Sequence, residues 1–534
     1  MRLNKPMDCS CVRHTDIPGA SKLFSDFIYH FDRVAAFYPH RPDHDAAMLT
    51  GAAKFDFPDD RRAALVRALA PLNAGNPSLD LLAQTGTVAV VTGQQVGLFS
   101  GPAYTVYKAL STIRTAKALT ERGVRAVPVF WLATEDHDFA EVDHAWVFGP
   151  DHQPVRLRVN EGVEHGHRPV GGIVLDRVPI DELRATLGEL PFADEAVAMV
   201  ERAYQPGATM GAAFGAMLRE LFEGHGLLLI DPMDRAVREL GAPLMREAVE
   251  RMPELIEALM ARSAELVKQG YHAQVLVEKA TSLAFLLEGG ERLALRRQNG
   301  TFAATARHHK WSAPDIAARA AELSPNALLR PVMQDFMIPT AVYVGGPAEL
   351  AYLAQSQVLY EKLLGRQPVA LPRASFTLVD ERSHKRMVRY GLNPADLFHG
   401  QKALDDRIGA RLVPESLRAR LGQTKAAFGA ALDELGGDLD RFDVSLAAAL
   451  ATNRRKIEYQ VDKITRKTAA QIMARDERAT RDARSLNGLV FPEKHLQERL
   501  YSIVPFIAKF GPGLVNELYS AVRMECPDHQ LVVV

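Results

Sequence analysis

The fold is decided by residues 87–138, which read TVAVVTGQQVGLFSGPAYTVYKALSTIRTAKALTERGVRAVPVFWLATEDHD. The apolar run at 88–91 is bounded by glycines and is typical of a strand buried on both faces. A glycine-bearing loop, residues 92–102, leads into a helix, and the apolar run at 127–132 predicts the next strand. Strand, loop, helix and strand form a βαβ unit, so we predict an α/β fold with a parallel, Rossmann-type sheet.

The same pattern recurs further along the chain. Apolar runs at 226–231 and 341–344 predict two more core strands, whereas two intervening stretches do not continue the sheet. The first of these stretches carries short predicted strands at 155–159 and 172–175, and the second carries a hairpin pattern around Gly289-Gly290. We predict the following division: core residues 1–150, 216–264 and 326–392, connecting insertions 151–215 and 265–325, a helical coiled-coil domain 393–490, and a C-terminal segment 491–534 that returns to the core.

The composition changes after residue 393, where alanine, leucine and charged residues dominate. From Leu446 to Ile472 apolar residues follow a spacing of three to four, with a polar interruption at Asn453. This spacing predicts a long amphipathic helix, paired as an antiparallel coiled coil with residues 417–435. The alternative is a plain helical bundle packed on the same chain.

Composition and charge exclude several classes of partner. The chain has 534 residues, enough for more than one domain, and 47% of them are hydrophobic. Because 64 Lys and Arg face 65 Asp and Glu, no basic surplus is available to bind nucleic acid. No apolar run reaches the ~18 residues of a membrane span, residues 1–6 lack a secretory signal, and three cysteines make no disulfide framework. We expect a cytoplasmic protein with neither a nucleic-acid nor a membrane partner.

The loop at residues 92–102 is a candidate binding element. Its glycines let the backbone approach a ligand, and the following helix offers unpaired N–H groups. The glycines fall at four-residue steps, which match neither the dinucleotide fingerprint nor a P-loop. Adjacent Gln94 and Gln95 suit hydrogen bonds to a small polar molecule. The alternative is a tight turn with solvated glutamines.

Four ionisable residues, Glu135-Asp136-His137-Asp138, follow the second strand, where open α/β sheets bind ligands. Charged groups beside a buried strand destabilise the fold unless water solvates them, so they are often kept because they take part in function. His137, with a carboxylate beside it, could act as a general base on an amine. Alternatively, Asp136, His137 and Asp138 could ligate a metal together with His144, or the four residues could cap a helix and carry surface charge.

A second glycine turn, Gly345-Gly346, precedes another predicted helix. Glu349 in its first turn favours the helix dipole and could equally hold a substrate ammonium. Upstream, Arg330 and Asp335 place a cation and an acid near the same sheet edge. Arg330 could bind a carboxylate or phosphate, and a surface ion pair is the alternative.

Three ordered motifs resemble the bacillithiol biosynthesis cysteine-adding enzymes, the BshC family. They are TGQQVGLFSGPAYTVYKA at 92–109, PVFWLATEDHDF at 128–139 and YVGGPAELAY at 343–352. The likeness runs the length of the chain. Ala348 stands where the family pattern favours glycine, and Thr134 where a small residue is common, but neither departure removes a polar group.

The resemblance implies a Rossmann-type core with two connecting segments and a coiled-coil domain that forms a homodimer. It implies a ligase that joins the carboxyl of cysteine to the amine of glucosaminyl-malate. Because an amide does not form from a free acid in water without activation, we expect ATP, with Mg²⁺, as a co-substrate and no tightly bound cofactor. The alternative is a non-catalytic dimeric module that binds a nucleotide or a sugar acid and acts through its coiled coil.

On this hypothesis His137 or a neighbouring carboxylate takes the proton of the amine, and Arg330 or Lys108 binds the malate carboxylates. The candidate catalytic residues are Glu135, Asp136, His137 and Asp138. The candidate substrate-binding residues are Thr92, Gly93, Gln94, Gln95, Gly97, Gly101, Tyr104, Lys108, Arg330, Asp335, Gly345, Gly346, Glu349 and Tyr352. The prediction includes no metal ligand.

Overall fold

The computed structural model describes residues 8–42, 49, 51–160, 162–298, 300–304, 309–523 and 525–534. The prediction about a secretory signal at residues 1–6 lies outside the described residues.

The strands are β1 (Asp8–Val12), β2 (Val88–Gln95), β3 (Ala126–Ala133), β4 (His144–Phe148), β5 (Pro154–Arg158), β6 (Leu228–Ile230), β7 (Thr281–Glu288), β8 (Glu291–Gln298), β9 (Thr301–Ala304), β10 (Lys310–Ser312), β11 (Leu323–Pro325), β12 (Thr340–Gly345), β13 (Val369–Pro372), β14 (Ser375–Val379) and β15 (His529–Val533). The α-helices are α1 (Lys22–Tyr29), α2 (Asp59–Leu69), α3 (Pro77–Leu82), α4 (Tyr104–Glu121), α5 (Phe139–Val142), α6 (Ile180–Leu187), α7 (Ala193–Ala203), α8 (Met210–Leu221), α9 (Arg235–Glu250), α10 (Met252–Lys268), α11 (Ala313–Ala318), α12 (Arg330–Met337), α13 (Pro347–Leu363), α14 (Glu381–Tyr390), α15 (Gln401–Leu412), α16 (Glu415–Phe442), α17 (Val444–Arg475), α18 (Glu477–Val490), α19 (Gln497–Leu500), α20 (Val504–Phe510) and α21 (Leu514–Ala521).

The predicted parallel sheet lies at the centre of the core. Its strands follow the order β13-β12-β2-β3-β6, and every neighbouring pair is parallel. The chain moves outward from β2 through β3 to β6 and then returns to the other side of β2 as β12 and β13. The strand order therefore reverses between β2 and β12, which is where open α/β sheets bind their ligands.

Strand β2 is longer than predicted. Gln94 and Gln95 belong to it and pair with Leu132 and Ala133 of β3, so the loop prediction was wrong for residues 92–95. Glutamine is a weak strand former, but two glutamines at the end of a strand can face a polar cavity without cost. The next helix, α4, begins at Tyr104, two residues after Pro102, the last residue of the predicted loop.

Gly93 packs tightly against the neighbouring strand. A Cβ at this position would lie 2.8 Å from Cβ and 2.9 Å from the carbonyl oxygen of Trp131. We expect Gly93→Ala to lower the free energy of unfolding by about 1–3 kcal/mol, because buried backbone must move to relieve the overlap. Gly172→Ala, whose Cβ would meet nothing within 4 Å, is the control. Equal thermal unfolding of the two variants would contradict the expectation.

The two insertions carry their own strands. The predicted hairpin is confirmed as β7 and β8, which belong to an antiparallel sheet of order β10-β9-β8-β7-β11. The strand predicted at 155–159 is confirmed as β5, paired with β4. The strand predicted at 172–175 was wrong, and only Val174 makes a bridge there. The backbone N–H groups of Val170 and Gly171 instead bond to the loop after β3, which draws this segment against the sheet edge.

The C-terminal region contains the predicted helix pair. Lys425 of α16 meets Asp462 of α17 at 2.6 Å, and Asp433 of α16 meets Arg454 of α17. Residue numbers thus rise along one helix as they fall along the other, so the pair is antiparallel. None of the described helices is long and apolar enough to cross a bilayer.

The apolar tail at the end of the chain forms strand β15 in a three-stranded sheet that is separate from the parallel sheet. Strand β15 lies between β1, with which it is antiparallel, and β14, with which it is parallel. This sheet joins both ends of the chain to the segment that leaves the Rossmann-type core.

Candidate active site

A cavity of about 600 Å³ opens at the carboxyl ends of β2 and β3 and beside the turn after β12. Its position is the switch point of strand order, so the sheet topology and the cavity agree. The predicted site residues that line it are Gly93, Gln94, Gln95, Tyr104, Lys108, Glu135, Asp136, His137, Arg330, Gly346, Glu349 and Tyr352.

Lys108 forms the floor of this cavity on α4. Its ammonium lies 2.6 Å from Glu349 Oε2, and it also donates to Gln94 Oε1 at 3.1 Å and to the carbonyl of Gly93. Burial lowers the pKa of Lys108, although Glu349 opposes the shift. An ammonium has three donors, and these three partners use them all. Lys108 therefore holds Glu349 and has no donor left for a malate carboxylate, against the expectation.

Arg330, at the start of α12, is held by two phenols. It donates to Tyr352 Oη at 2.8 Å and to Tyr343 Oη at 3.2 Å, and Tyr343 in turn donates to Glu349 at 2.7 Å. The guanidinium has five donors, so it retains some for a ligand. Lys108, Glu349, Tyr343 and Arg330 thus form one hydrogen-bonded network along the cavity wall.

The two adjacent glutamines connect the strand ends. Gln95 donates to Asp136 at 2.7 Å and to Glu141 at 2.9 Å, and Gln94 donates to the hydroxyl of Tyr104 at 3.1 Å. The glutamine pair and the acidic cluster, separated by about forty residues in sequence, therefore meet at one sheet edge.

His137 faces an arginine that the sequence analysis did not identify. Arg292 of β8 places Nη1 3.1 Å from Nδ1 of His137 and 3.5 Å from Oδ1 of Asp136. It is further fixed by Ser324, by the carbonyl of Pro325 and by stacking on Phe285.

The contact with Arg292 determines which ring nitrogen of His137 carries the proton. A guanidinium only donates hydrogen bonds, so Nδ1 of His137 accepts and the ring proton lies on Nε2. Burial and the charge of Arg292 lower the pKa of His137, which keeps the ring neutral. A neutral ring with its basic nitrogen occupied can donate from Nε2, but it is a poor general base.

Glu135, which follows β3, is a buried carboxyl of the cavity wall. Only 5% of the residue is exposed. Burial raises the pKa of Glu135 to about 7, although Arg292 and Arg330 oppose the shift. A carboxyl that titrates near neutrality can both accept and return a proton under physiological conditions.

A buried ion pair separates this cavity from a neighbouring one of about 310 Å³. Arg373, which follows β13, lines both cavities and binds Glu498 of α19 through two hydrogen bonds of 2.7 and 3.0 Å. Arg499 lines both cavities as well, and its guanidinium makes no hydrogen bond or ion pair with the described residues. Arg499 is therefore a cation available to an anionic ligand at the junction.

Several predicted residues lie elsewhere. Thr92 donates to the carbonyl of Val344 between strands, Asp335 is buried and bonded to Gln334 and Tyr360, and Gly345 faces the smaller cavity. Asp138 is exposed at the beginning of α5. Gly97 and Gly101 shape the turn after β2, where a Cβ on Gly97 would lie 3.0 Å from Gly101 Cα. None of these six lines the larger cavity.

The metal interpretation finds no support in the described ranges, in which no three His, Cys, Asp or Glu side chains are grouped to hold an ion. His144 instead lies 2.9 Å from Asp143 and 3.3 Å from Arg156, on the hairpin formed by β4 and β5.

Comparison with known proteins agrees with the geometry. Residues 7–374 match the family model "Bacillithiol biosynthesis BshC, N-terminal Rossmann-like domain", and residues 376–534 match "Bacillithiol biosynthesis BshC, C-terminal coiled-coil domain". The chain belongs to the BshC family. The resemblance that the three motifs carried is thereby confirmed, as are the Rossmann-type core and the coiled-coil domain.

Relatives match over almost their whole length. A protein of Solibacter usitatus named "Putative cysteine ligase BshC" is 50% identical over 99% of this chain and 100% of its own. Proteins with the same name from Koribacter versatilis and Salinibacter ruber are 35% and 32% identical, covering 98% and 96% of this chain and 99% and 96% of their own. This BshC chain is a ligase of bacillithiol biosynthesis.

Proposed function

We propose that this BshC protein joins the carboxyl of cysteine to the amine of glucosaminyl-malate. The observation that carries the proposal is the convergence of Glu135, His137 and several buried cations in one cavity at the switch point of the sheet. The cationic lining suits a substrate with two malate carboxylates and a co-substrate with phosphates. ATP, with Mg²⁺, is the activating co-substrate in this proposal, because a free carboxylate is a poor electrophile.

We assign the proton transfer to Glu135 and not to His137. When the sugar amine attacks the activated cysteine carbonyl, the C–N bond forms, the C–O bond to the activating phosphate or AMP breaks and that group leaves with the electron pair. The nitrogen loses a proton, which Glu135 accepts. His137 donates from Nε2 to the oxygen that gains negative charge. Arg292 fixes the ring in the tautomer that this role requires. The malate carboxylates bind Arg499 and the remaining donors of Arg330.

The test of the function uses purified protein with cysteine, glucosaminyl-malate and ATP. We expect the amide product by mass spectrometry only when all three are present, together with AMP or ADP that identifies the mode of activation. We also expect the sugar acid alone to raise the melting temperature, by mass action on the folded state. Binding of the sugar acid without any product would instead favour the non-catalytic binding module.

The role of Arg292 has a separate test. Arg292→Gln removes the charge that lowers the pKa of His137, so that pKa should rise when it is followed by NMR. Because the ring is also freed to rotate, we expect kcat to fall by about 10²-fold. Arg296→Gln, an exposed position on the same strand, is the control. An unchanged His137 titration in Arg292→Gln would contradict the assigned tautomer.

We infer that a second copy of the chain covers the coiled coil. An apolar groove runs between α16 and α17, in which Phe428 is 47% and Ile464 is 52% exposed. Two long helices alone leave these side chains in water, and a second pair of the same kind would bury them. We expect Phe428→Glu to convert a dimer to a monomer in light scattering, and Gln423→Glu, outside the groove, to leave it unchanged. A wild-type monomer would contradict the inference.

A further inference from the structure

Two thiols from opposite ends of the chain meet outside both cavities. Cys11 of β1 and Cys526, which precedes β15, have their Sγ atoms 3.3 Å apart. Cys11 is exposed to solvent and Cys526 is half-buried. We propose that Cys11 and Cys526 form a reversible oxidation site, which closes to a disulfide when it meets an oxidised low-molecular-weight thiol. The proposal does not depend on the ligase activity.

The two sulfur atoms lie close to bonding distance. A disulfide bond is about 2.05 Å long, so the two sulfur atoms must approach by about 1.3 Å. Cys11 lies opposite Gln530 in the pairing of β1 with β15. Asp528, two residues after Cys526, accepts a hydrogen bond of 2.6 Å from Tyr29. Both segments are thus held by contacts other than the thiols, and these contacts keep the two sulfur atoms close together.

The remaining cysteine provides an internal comparison. Cys9 lies two residues before Cys11 in β1, and its Sγ contacts Gln530 Oε1 at 3.3 Å. It is therefore paired with an amide of the neighbouring strand, whereas Cys11 is paired with a thiol. We therefore expect Cys11, and not Cys9, to form the bond, because only Cys11 lies beside Cys526.

The reaction balances with a small disulfide as oxidant. The thiolate of Cys11 attacks one sulfur of the small disulfide, forms a mixed disulfide and releases one small thiolate. Cys526 then gives its proton to solvent, attacks Sγ of Cys11 and releases the second small thiolate. Two protein thiols are oxidised, and one small disulfide is reduced to two thiols. Burial and the contact with Cys11 raise the pKa of Cys526 to about 11, so exposed Cys11 reacts first.

The bond would lock the strand pair beside the smaller cavity. Cys11 lies three residues before His14, which lines that cavity. Strand β15 carries His529, whose ring bonds to Ser375 and Thr377 of β14. Closure therefore fixes the edge strand β1 to the segment that leads into β15.

The experiment treats the purified full-length protein with 2-hydroxyethyl disulfide and measures the intact mass and the linked peptides. We expect the wild type and Cys9→Ser to lose two hydrogens and to yield one peptide pair joined through Cys11 and Cys526, reversed by dithiothreitol. Cys526→Ser should stop at a mixed disulfide on Cys11. A wild-type protein that stays unmodified, retains the mixed disulfide, links through Cys9 or joins two chains would overturn the proposal.

Discussion

Replacing Glu135 with glutamine is expected to lower kcat for amide formation by about 10²–10⁴-fold. The substitution keeps the shape of a buried side chain and removes the group that accepts the proton of the amine. Because the carboxylate is the active form and burial raises the pKa of Glu135 to about 7, wild-type activity should rise with pH through that value. Product formation measured between about pH 5.5 and 9 checks both expectations.

The control is Glu195→Gln, an exposed position on α7 in the first insertion. It makes the same replacement of a carboxyl by an amide and should leave kcat and the pH profile unchanged. If Glu135→Gln kept most of the wild-type rate and its rise near neutral pH, Glu135 could not be the proton acceptor.

The same substitution has an expected effect on stability. An acid with a higher pKa in the folded state than in the unfolded state destabilises the folded state as the pH rises above its unfolded-state pKa. The effect is complete above its folded-state pKa. A rise from 4.5 to about 7 corresponds to about 3 kcal/mol. Glu135→Gln should therefore be more stable than the wild type at pH 8 and nearly equal to it at pH 4.5. Denaturant unfolding at both pH values measures this difference without any substrate.

Replacing Glu498 with glutamine is expected to lower the free energy of unfolding by about 3–5 kcal/mol at neutral pH. Glu498 accepts two hydrogen bonds from Arg373, one from the hydroxyl of Ser375 and one from the backbone of Phe376. The side chains of Arg373 and Glu498 are only 5% and 1% exposed. Without the carboxylate, the guanidinium of Arg373 loses its counter-ion. Because the guanidinium is buried, water cannot solvate its charge instead.

Asp406→Asn is the control for Glu498→Gln. Asp406 pairs with Lys402 on the surface of α15, where the two side chains are 50% and 88% exposed, so its loss should cost less than about 1 kcal/mol. Burial opposes ionisation of Glu498, but Arg373 outweighs it and lowers the pKa to about 2. The stabilisation is thus complete above about pH 4.5 and is lost as the pH falls towards 2. Similar unfolding of both variants at pH 7 would contradict the account.

Local patterns in the sequence predicted the elements that carry the fold. The apolar runs before Thr92 and Thr134, with a helix between them, predicted the βαβ unit, because a buried parallel strand is apolar on both faces. The spacing from Leu446 to Ile472 predicted α17, because a long helix repeats every three to four residues. Both patterns are local, because each is carried by residues of a single strand or a single helix.

The sequence could not predict which distant residues complete the cavity. Arg292 lies on a hairpin of the second insertion, and nothing around it shows that the hairpin reaches His137. Arg373 follows β13, a strand that the sequence analysis missed because the apolar run at 369–371 is short and ends in proline. Once β13 is known to be parallel to β12, its end must lie at the same sheet edge, and Arg373 becomes a natural candidate.

The central claim is that the cavity at the ends of β2, β3 and β12 holds the amine of the sugar acid beside Glu135. A crystal structure of the protein with glucosaminyl-malate and a non-hydrolysable ATP analogue tests it most directly. The account predicts the amine nitrogen within hydrogen-bond distance of the Glu135 carboxyl and the malate carboxylates at Arg499 or Arg330. Sugar acid bound with its amine away from Glu135, or outside this cavity, would contradict it.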